Sequence, residues 1–474
     1  MPGCRRFVAF SLLIIAGGVA SRQALSQNDP LSLNNVGSIT AALNSPDHRP
    51  VHILYVHGIN QIGAGDSATL RNAICDKMHL CDKSDWKSAG ADFADEDEFE
   101  PGSDPPKFKY LGKDVWDGKE QWRDAAPFVA HWVIHLRGYQ APLVVDEVNW
   151  WPLVLALKCE YVVRSEASLA GPNNDLLKVC SQKSAQDPYD LGRFYPWLST
   201  EEAAQLSQMP ARAVLLNREM KNGLEDWGFS DAMIGVGPLA RIIRDGLRQL
   251  MVKSASFDPN GTDSSARMRY DWKSQLSRGN GNDQTFIGVT HSLGSYLLFN
   301  TLNLEDPQPQ DEVAVPKALG PAQAEQATEN SATQYIFERM SLIYFFANQL
   351  LLLEFTDLEE PPQAAGAAPR AEGAPAPTTR RLNDLVSLWS QYRQAYEKRL
   401  QGAGAAPPQK VHIVAWSDPG DLLSWRVPAI GDVDIVNLYA HNAIHWFWLF
   451  ESPLGAHDNY AQNKAVLRVM FPKR

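Results

Sequence analysis

Few cysteines, no surplus of basic residues and no long apolar run set the first limits on this chain. Its 474 residues include only 5 cysteines, and 44 Lys and Arg stand against 55 Asp and Glu, a formal charge of −11. An acidic chain without a basic stripe is poorly suited to bind phosphate backbones, so we expect no nucleic-acid partner. No internal repeat is visible, which excludes solenoids and propellers. Hydrophobic residues make up 44 % of the chain, which indicates a folded globular protein and excludes a mostly disordered one.

The N-terminal residues are typical of a secretory signal. Two arginines precede the apolar stretch Phe7–Ala20, which is short for a bilayer span, and small residues offer cleavage after Ala20 or after Ser26. We therefore predict a signal peptide over residues 1–26, a polar lead-in over residues 27–50, and export to the periplasm or the exterior. An uncleaved membrane anchor is the alternative.

The cysteine count fits an exported chain. Four cysteines lie beyond the predicted signal: Cys75, Cys81, Cys159 and Cys180. An even number suggests two disulfides, and pairing the first with the second and the third with the fourth closes the shortest loops. Buried free thiols are the alternative. No CxxC motif or Cys/His cluster indicates a zinc site, and His441 and His445, four residues apart, have no apparent third ligand. We expect no metal and no cofactor.

Strands and helices alternate along the chain. Apolar runs bounded by turn residues predict buried strands over Val51–Val56, Phe128–Leu136, Leu143–Val148, Thr285–Thr290, Ser341–Ala347, Val411–Trp416 and Val433–Tyr439. Helical spacing of apolar residues predicts helices over Ser67–Lys77, from Pro238 to Met251, and over Leu382–Leu400. This alternation predicts an α/β fold with a mainly parallel central sheet.

The strands are separated by long segments. We predict one domain over residues 51–474 with insertions at about 86–125, 153–230 and 304–409, and a low-complexity linker over 361–380. Such helical insertions commonly form a cap over a site.

One segment combines a strand, a tight turn and a helix around a serine. Ile287–Ser295 reads IGVTHSLGS, so an apolar strand runs into Ser292 and then into the helical residues that follow. This shape lifts a hydroxyl above the sheet edge and places helix N-terminal amides beside it. Ser292 is therefore the predicted nucleophile. Ser295 is the less suitable alternative, because it lies one turn inside the helix.

These residues resemble the α/β-hydrolase superfamily, in particular its lipase and esterase branches with a Gly-His-Ser-x-Gly elbow. Thr290 replaces the first glycine of that pattern, and a β-branched residue there crowds the turn. The resemblance implies an α/β-hydrolase fold and a triad in the chain order serine, acid, histidine. It also implies two backbone donors for an oxyanion hole. One is the N–H of Leu293, and the other lies after His57-Gly58, at Ile59 or alternatively at Asn60.

The triad needs a carboxylate and an imidazole downstream of the serine. The strand Val411–Trp416 leads into two candidate acids. Asp421, which precedes an apolar pair, is the favoured acid, whereas Asp418 could instead brace the Pro-Gly turn. His457, which follows a loop after the last strand and is expected to open the final helix, is the predicted base. His441 and His445 flank aromatic residues and are assigned to an aromatic wall.

We therefore predict an exported serine hydrolase that cleaves carboxylic esters through Ser292, His457 and Asp421. Lipid acyl esters are candidate substrates, with peripheral contact at a membrane. The alternatives are an acyltransferase with the same triad and a non-catalytic binding domain on the same fold. Five tryptophans are candidates for the lining of an acyl pocket, although core packing is the commoner role for each: Trp150, Trp151, Trp425, Trp446 and Trp448. Acyl length and oligomeric state are left open.

Overall fold

An eight-stranded, mostly parallel sheet flanked by helices forms the centre of the computed structural model. The structure describes residues 38–45, 48–59, 66–82, 85–94, 127–158, 230–237, 240–259, 272–275, 284–303, 321–350, 382–401, 410–442, 445–446, 450–451 and 453–472. All of these residues belong to one unit, Ser38–Arg474. The predicted signal peptide, most of the lead-in, the Cys159–Cys180 pair and the 361–380 linker lie outside them.

The sheet has the order β2-β3-β4-β1-β5-β6-β7-β8. Its strands are Val51–Val56 (β1), Trp86–Phe93 (β2), Phe128–Ile134 (β3), Leu143–Asn149 (β4), Thr285–His291 (β5), Met340–Phe346 (β6), His412–Ser417 (β7) and Asp434–Tyr439 (β8). Strand β3 runs antiparallel to both of its neighbours, β2 and β4. The adjacent strands β4, β1, β5, β6, β7 and β8 are parallel to one another. A small separate antiparallel pair joins His445–Trp446 (β9) to Phe450–Glu451 (β10). The predicted α/β class with a mainly parallel sheet is thereby confirmed.

The central strands are apolar on both faces because helices cover both sides of the sheet. Every residue of β1 and of β4 is buried. The described helices are Ile39–Leu43 (α1), Ala68–Asp76 (α2), Trp151–Leu157 (α3), Ser230–Val236 (α4), Ala240–Ser256 (α5), Trp272–Gln275 (α6), Gly294–Asn300 (α7), Pro321–Arg339 (α8), Leu382–Gln401 (α9), Pro453–Asp458 (α10) and Lys464–Met470 (α11). None of these described helices combines the length and the apolar character that crossing a bilayer requires.

Two of the predicted insertions were drawn too widely. The segment from residue 86 begins with strand β2, which pairs with β3 at one side of the sheet. The segment 304–409 contains β6, which lies between β5 and β7 in the sheet and therefore belongs to the core. A parallel strand pair needs a long crossover, which explains why helices lie between these strands in the chain.

Helix α9 belongs to the core and not to a cap. Leu385, Val386 and Trp389 are fully or almost fully buried. The Trp389 indole N–H donates to the Met340 carbonyl at 2.8 Å, which ties the helix to the start of β6. Its apolar stripe is therefore buried, mainly against helices α7 and α8.

A chain of buried titratable side chains crosses the sheet beneath α5, which packs on β2, β3 and β4. The Asp146 carboxylate lies 2.8 Å from His52 Nδ1 and 2.7 Å from His131 Nδ1, and all three side chains are fully buried. His131 Nε2 lies 3.4 Å from Asp92 at the outer end. Burial alone would lower the pKa of His131, but the two carboxylates outweigh it and the pKa is raised.

Cys75 and Cys81 form a disulfide at the end of α2, with their Cα atoms 4.4 Å apart. This confirms the local pairing predicted for these two cysteines. Helix α2 begins at Ala68, within the predicted segment, but the Ser67 hydroxyl does not cap it. That hydroxyl donates instead to the buried Glu147 carboxylate at 2.5 Å.

Candidate active site

The site lies where strands β1 and β5 end side by side. Val56 and Thr290 are paired in the parallel register, so the residues that follow them emerge at the same sheet edge. After β1 the chain continues to β2, which lies at one edge of the sheet. After β5 it continues to β6, which lies toward the other edge. Such a switch in strand order leaves a crevice at the carboxyl ends of the strands, where ligands commonly bind in α/β proteins.

Ser292 occupies the sharp turn between β5 and α7. It is fully buried, and its φ of 53° places a non-glycine residue in the left-handed region. Its N–H donates to the Phe346 carbonyl at 2.8 Å, which helps to hold this strained backbone in place. Thr290, one residue before the end of β5, pairs with Val56 and Phe345 and leaves the strand unbroken. The β-branched residue that replaces glycine is thus accommodated.

Two glycines allow the close packing around this turn. A Cβ on Gly294 would lie 2.3 Å from the Val56 carbonyl oxygen and 2.6 Å from that of His57. A Cβ on Gly58 would lie 2.7 Å from the Cβ of Ser292. The loop after β1 and the turn after β5 therefore touch directly, and only glycine fits at both contact points.

The predicted base and the favoured acid are in contact. His457 Nδ1 lies 2.9 Å and 3.1 Å from the two carboxylate oxygens of Asp421. The same carboxylate accepts the Leu423 N–H at 3.0 Å and the Tyr460 hydroxyl at 3.3 Å. With Nδ1–H donated to the carboxylate, a neutral His457 keeps its lone pair on Nε2.

Asp418 has a different part in the structure. One of its carboxylate oxygens accepts the Gly420 N–H at 2.8 Å, and the other accepts the Asn442 N–H at 2.5 Å. It therefore braces the turn, the alternative that the sequence left open for it. Its own N–H donates to the hydroxyl oxygen of Tyr460 at 2.6 Å, which aligns that tyrosine with Asp421.

His291 joins the elbow to helix α10, which carries His457. Its Nε2–H donates to the His457 carbonyl at 2.8 Å, and the two imidazole rings are 4.9 Å apart. Ser292 Oγ and His457 Nε2 are both buried and have no hydrogen-bond partner among the described residues, so they are not bonded to each other here. Nucleophile–base hydrogen bonds are often long in unliganded enzymes and tighten with substrate.

A second polar group lies behind the elbow. The Tyr55 hydroxyl bonds to the Asp66 carboxylate, which also interacts electrostatically with His291. Burial raises the pKa of Asp66, although His291 and Tyr55 oppose this shift. Burial, with the charge of His457 as the second cause, lowers the pKa of His291 to about 4, so this ring is neutral near pH 7.

Two of the three predicted oxyanion donors can be placed. Leu293 precedes α7 directly, and Ile59 follows Gly58 in the loop after β1. Neither backbone N–H donates to a backbone carbonyl of a described residue. The alternative donor, Asn60, lies outside the described residues. We assign no catalytic role to His57. Its Nδ1–H donates to the Gly58 carbonyl at 2.8 Å, and its ring stacks on that of Trp150, with the ring centroids 5.0 Å apart.

The five tryptophans proposed for an aromatic pocket lie in different surroundings. Trp150 and Trp151 are buried in the core, where the Trp150 indole donates to the His57 carbonyl at 3.2 Å. Trp425 is 47 % exposed and follows Asp421 in a loop that also exposes Leu422 at 74 %. The side chains of Trp446 and Trp448, and that of His445, lie outside the described part. His441 is exposed.

Sequence reasoning missed Tyr460 and the linking role of His291. Nothing in the spacing of Tyr460 sets it apart from an ordinary core tyrosine, and its contacts to Asp418 and Asp421 appear only in three dimensions. His457 was also placed slightly wrongly. It lies in the last turn of α10 and precedes α11 by a short 3-10 helix, so it does not open the final helix.

Comparison with known proteins yields no relative. No family model matches the chain, and no curated protein or solved structure shows significant similarity to it. The geometry of the site is therefore the basis for its function.

Proposed function

We propose that this protein is a serine hydrolase of carboxylic esters with an α/β-hydrolase fold, in which Ser292, His457 and Asp421 form the triad. The observation that carries the proposal is the state of His457. Its Nδ1 is held by Asp421, and its Nε2 lone pair is buried and unpartnered beside the serine elbow. An oriented imidazole with a free Nε2 is what the activation of a serine hydroxyl requires.

The proposed reaction begins with attack by Ser292 Oγ on the acyl carbon while His457 Nε2 takes the hydroxyl proton. The negative charge that develops on the carbonyl oxygen is held by the N–H groups of Leu293 and Ile59. The ester C–O bond then breaks, and the leaving alcohol receives the proton from His457. A water molecule gives a proton to His457 and attacks the acyl-enzyme, and the carboxylic acid leaves as Ser292 regains its proton.

One feature departs from the superfamily pattern. There the oxyanion loop follows the third strand, whereas here the His57-Gly58 loop follows β1, the first strand in the part of the chain that the structure describes. The spatial position serves the same purpose, because β1 lies directly beside the nucleophile strand β5. The proposal therefore rests on the adjacency of β1 and β5 in the sheet and not on their order in the chain.

The substrate class follows from the surroundings of the acid. Leu422, Leu423 and Trp425 are exposed directly after Asp421, at 74 %, 38 % and 47 %. Exposed apolar side chains in one loop favour contact with an apolar ligand. We therefore propose esters with an apolar acyl or alcohol group, lipid esters among them. The Cys75–Cys81 disulfide is compatible with the predicted export.

Labelling with a fluorophosphonate tests the proposal. We expect wild type to be labelled and to hydrolyse nitrophenyl esters, and Ser292→Ala to lose both properties. Ser295→Ala is the matched control, because Ser295 lies in the first turn of α7, next to the elbow, and its hydroxyl donates to the Ser292 carbonyl at 2.9 Å. Full labelling of Ser292→Ala would refute the assignment. Acyl transfer to an added alcohol in preference to water would instead indicate the acyltransferase alternative.

A further inference from the structure

Three side chains with metal-ligating atoms converge beside the base. His291, His457 and Asp458 each offer one ligand atom, and these three atoms lie within 4.8 Å of one another. The spacing in the sequence gives no sign of this group, because His291 ends β5 whereas the other two residues end α10. We propose that this cluster is an inhibitory zinc site, at which Zn²⁺ binds the base and blocks hydrolysis.

The donor set selects the metal. Two imidazoles and one carboxylate match the ligands that Zn²⁺ takes in proteins, whereas Mg²⁺ and Ca²⁺ prefer oxygen ligands alone. Three protein ligands leave a fourth position for water, which is the usual arrangement of an open zinc site. The cluster therefore favours zinc over the hard divalent cations.

His457 is already oriented to bind a metal. His457 Nε2 is buried and has no hydrogen-bond partner among the described residues, and the residue is only 8 % exposed. Its Nδ1 is held by Asp421 at 2.9 Å. A carboxylate that fixes the tautomer of a histidine is also the usual support of a zinc-ligating imidazole. The contact that prepares His457 as a base thus prepares it equally as a ligand.

The other two ligands are also available. The His291 ring lies beside that of His457, with the two ring centroids 4.9 Å apart. Its Nε2–H donates to the His457 carbonyl, which leaves the lone pair of the neutral ring on Nδ1. A metal bound at Nδ1 would preserve this hydrogen bond, and a metal bound at Nε2 would replace it. Asp458 is exposed to solvent.

The required movement is small. Bonds of about 2.0–2.2 Å in a tetrahedral site place ligand atoms roughly 3.3 Å apart. The widest separation in the cluster is at most 4.8 Å, so it must shrink by at most about 1.5 Å. Asp458 is exposed, and a change of its rotamer would move its carboxylate relative to the two imidazoles.

The consequence for catalysis rests on the proposed function. A zinc ion on Nε2 occupies the lone pair that would receive the Ser292 proton, so the serine stays protonated. Removal of zinc by a chelator restores the free imidazole. Metal-free enzyme should therefore be the active form.

The binding test does not depend on activity. Zn²⁺ is titrated by calorimetry into the full-length Ser292→Ala variant, which keeps all three ligands. We expect one site, with affinity lowered at least about tenfold when Asp458→Asn is added and lost when His457→Ala is added. Asp432→Asn is the matched control, because it removes an exposed carboxylate elsewhere. Mg²⁺ at the same concentration should not compete.

Inhibition is measured in parallel with wild type and a nitrophenyl ester. The zinc concentration for half inhibition should rise in Asp458→Asn by the factor seen in the titration, and EDTA should restore full activity. Equal zinc affinity with and without Asp458→Asn in the Ser292→Ala background would overturn the proposal, as would inhibition that Asp458→Asn leaves unchanged. Site-specific zinc binding by a chain that hydrolyses no ester would refute the proposed hydrolase and leave the zinc site standing.

Discussion

Two aspartates three residues apart should respond in opposite ways to the same substitution. Asp421 holds the imidazole of His457, and Asp418 holds two backbone amides of its own turn and of residue 442. Replacement of either carboxylate by an amide keeps the size of the side chain but removes one acceptor oxygen. The effects on kcat and on the free energy of unfolding can therefore be separated.

For Asp421→Asn we expect a loss of about 10⁴ in kcat, equivalent to about 5.5 kcal/mol of transition-state stabilisation. An amide NH₂ facing His457 Nδ1 donates to it, so the ring proton moves to Nε2 and the lone pair for Ser292 is lost. The amide oxygen can still accept the Leu423 N–H, so we expect stability to change by less than about 1 kcal/mol.

For Asp418→Asn the pattern is reversed. An asparagine has one acceptor oxygen for the two amides of Gly420 and Asn442, so one of them loses its partner. We expect the free energy of unfolding to fall by about 1–3 kcal/mol, with kcat within about threefold of wild type.

Both variants are compared with wild type by hydrolysis of a nitrophenyl ester at saturating concentration and by urea unfolding. Equal losses of kcat in the two variants, or a kcat of Asp421→Asn within tenfold of wild type, would refute the assignment of the acid.

Three further predictions concern the packing of the elbow, the support of the acid and the buried histidine. Gly294→Ala should destabilise the fold by more than about 3 kcal/mol in urea unfolding, because its Cβ would lie 2.3 Å from the Val56 backbone oxygen, which no side-chain rotation can relieve. Tyr460→Phe removes the hydroxyl that donates to Asp421, and we expect kcat to fall about tenfold while KM is unchanged. The raised pKa of His131 stabilises the fold below the unfolded value of about 6.5, and this contribution is lost as pH rises through the folded pKa. The free energy of unfolding should therefore decline as the pH rises above about 6.5, and His131→Gln should flatten that decline.

Each of these has a result that contradicts it. A Gly294→Ala variant with wild-type stability would mean that the helix and β1 are not in contact. A raised KM with unchanged kcat in Tyr460→Phe would point to substrate binding and not to positioning of the acid. His441→Gln replaces an exposed histidine. If the free energy of unfolding still declines with pH in His131→Gln but no longer does so in His441→Gln, His131 is not the group responsible.

Strong local patterns were predicted well. The predicted strand Val51–Val56 matches β1 residue for residue, and Thr285–Thr290 differs from β5 by one residue. These segments are buried on both faces, so their apolar runs are continuous and end sharply at turn residues. The strand–turn–helix pattern around Ser292 was predictable for the same reason, since each part of it is a local signal.

Segments with weak patterns were predicted poorly. Strand β2, WKSAGADF, is not a continuous apolar run, because it lies at one side of the sheet. Helix α8, PAQAEQATENSATQYIFER, has little separation of apolar and polar residues along its first half, so its length of 19 residues was not recognised. In both cases tertiary packing outweighs local preference.

By itself, the sequence determined the α/β class, the central strands and the serine on its turn, and it favoured the local disulfide Cys75–Cys81. All of these depend on residues that are close together in the chain. Only the tertiary structure decided that Cys75 and Cys81 are bonded, that Asp421 and not Asp418 meets His457, that Tyr460 donates to Asp421 and that His291 joins the elbow to helix α10. The physical reason is that hydrogen bonds depend on distances of about 3 Å between side chains from different elements, and these distances are set by how the elements pack.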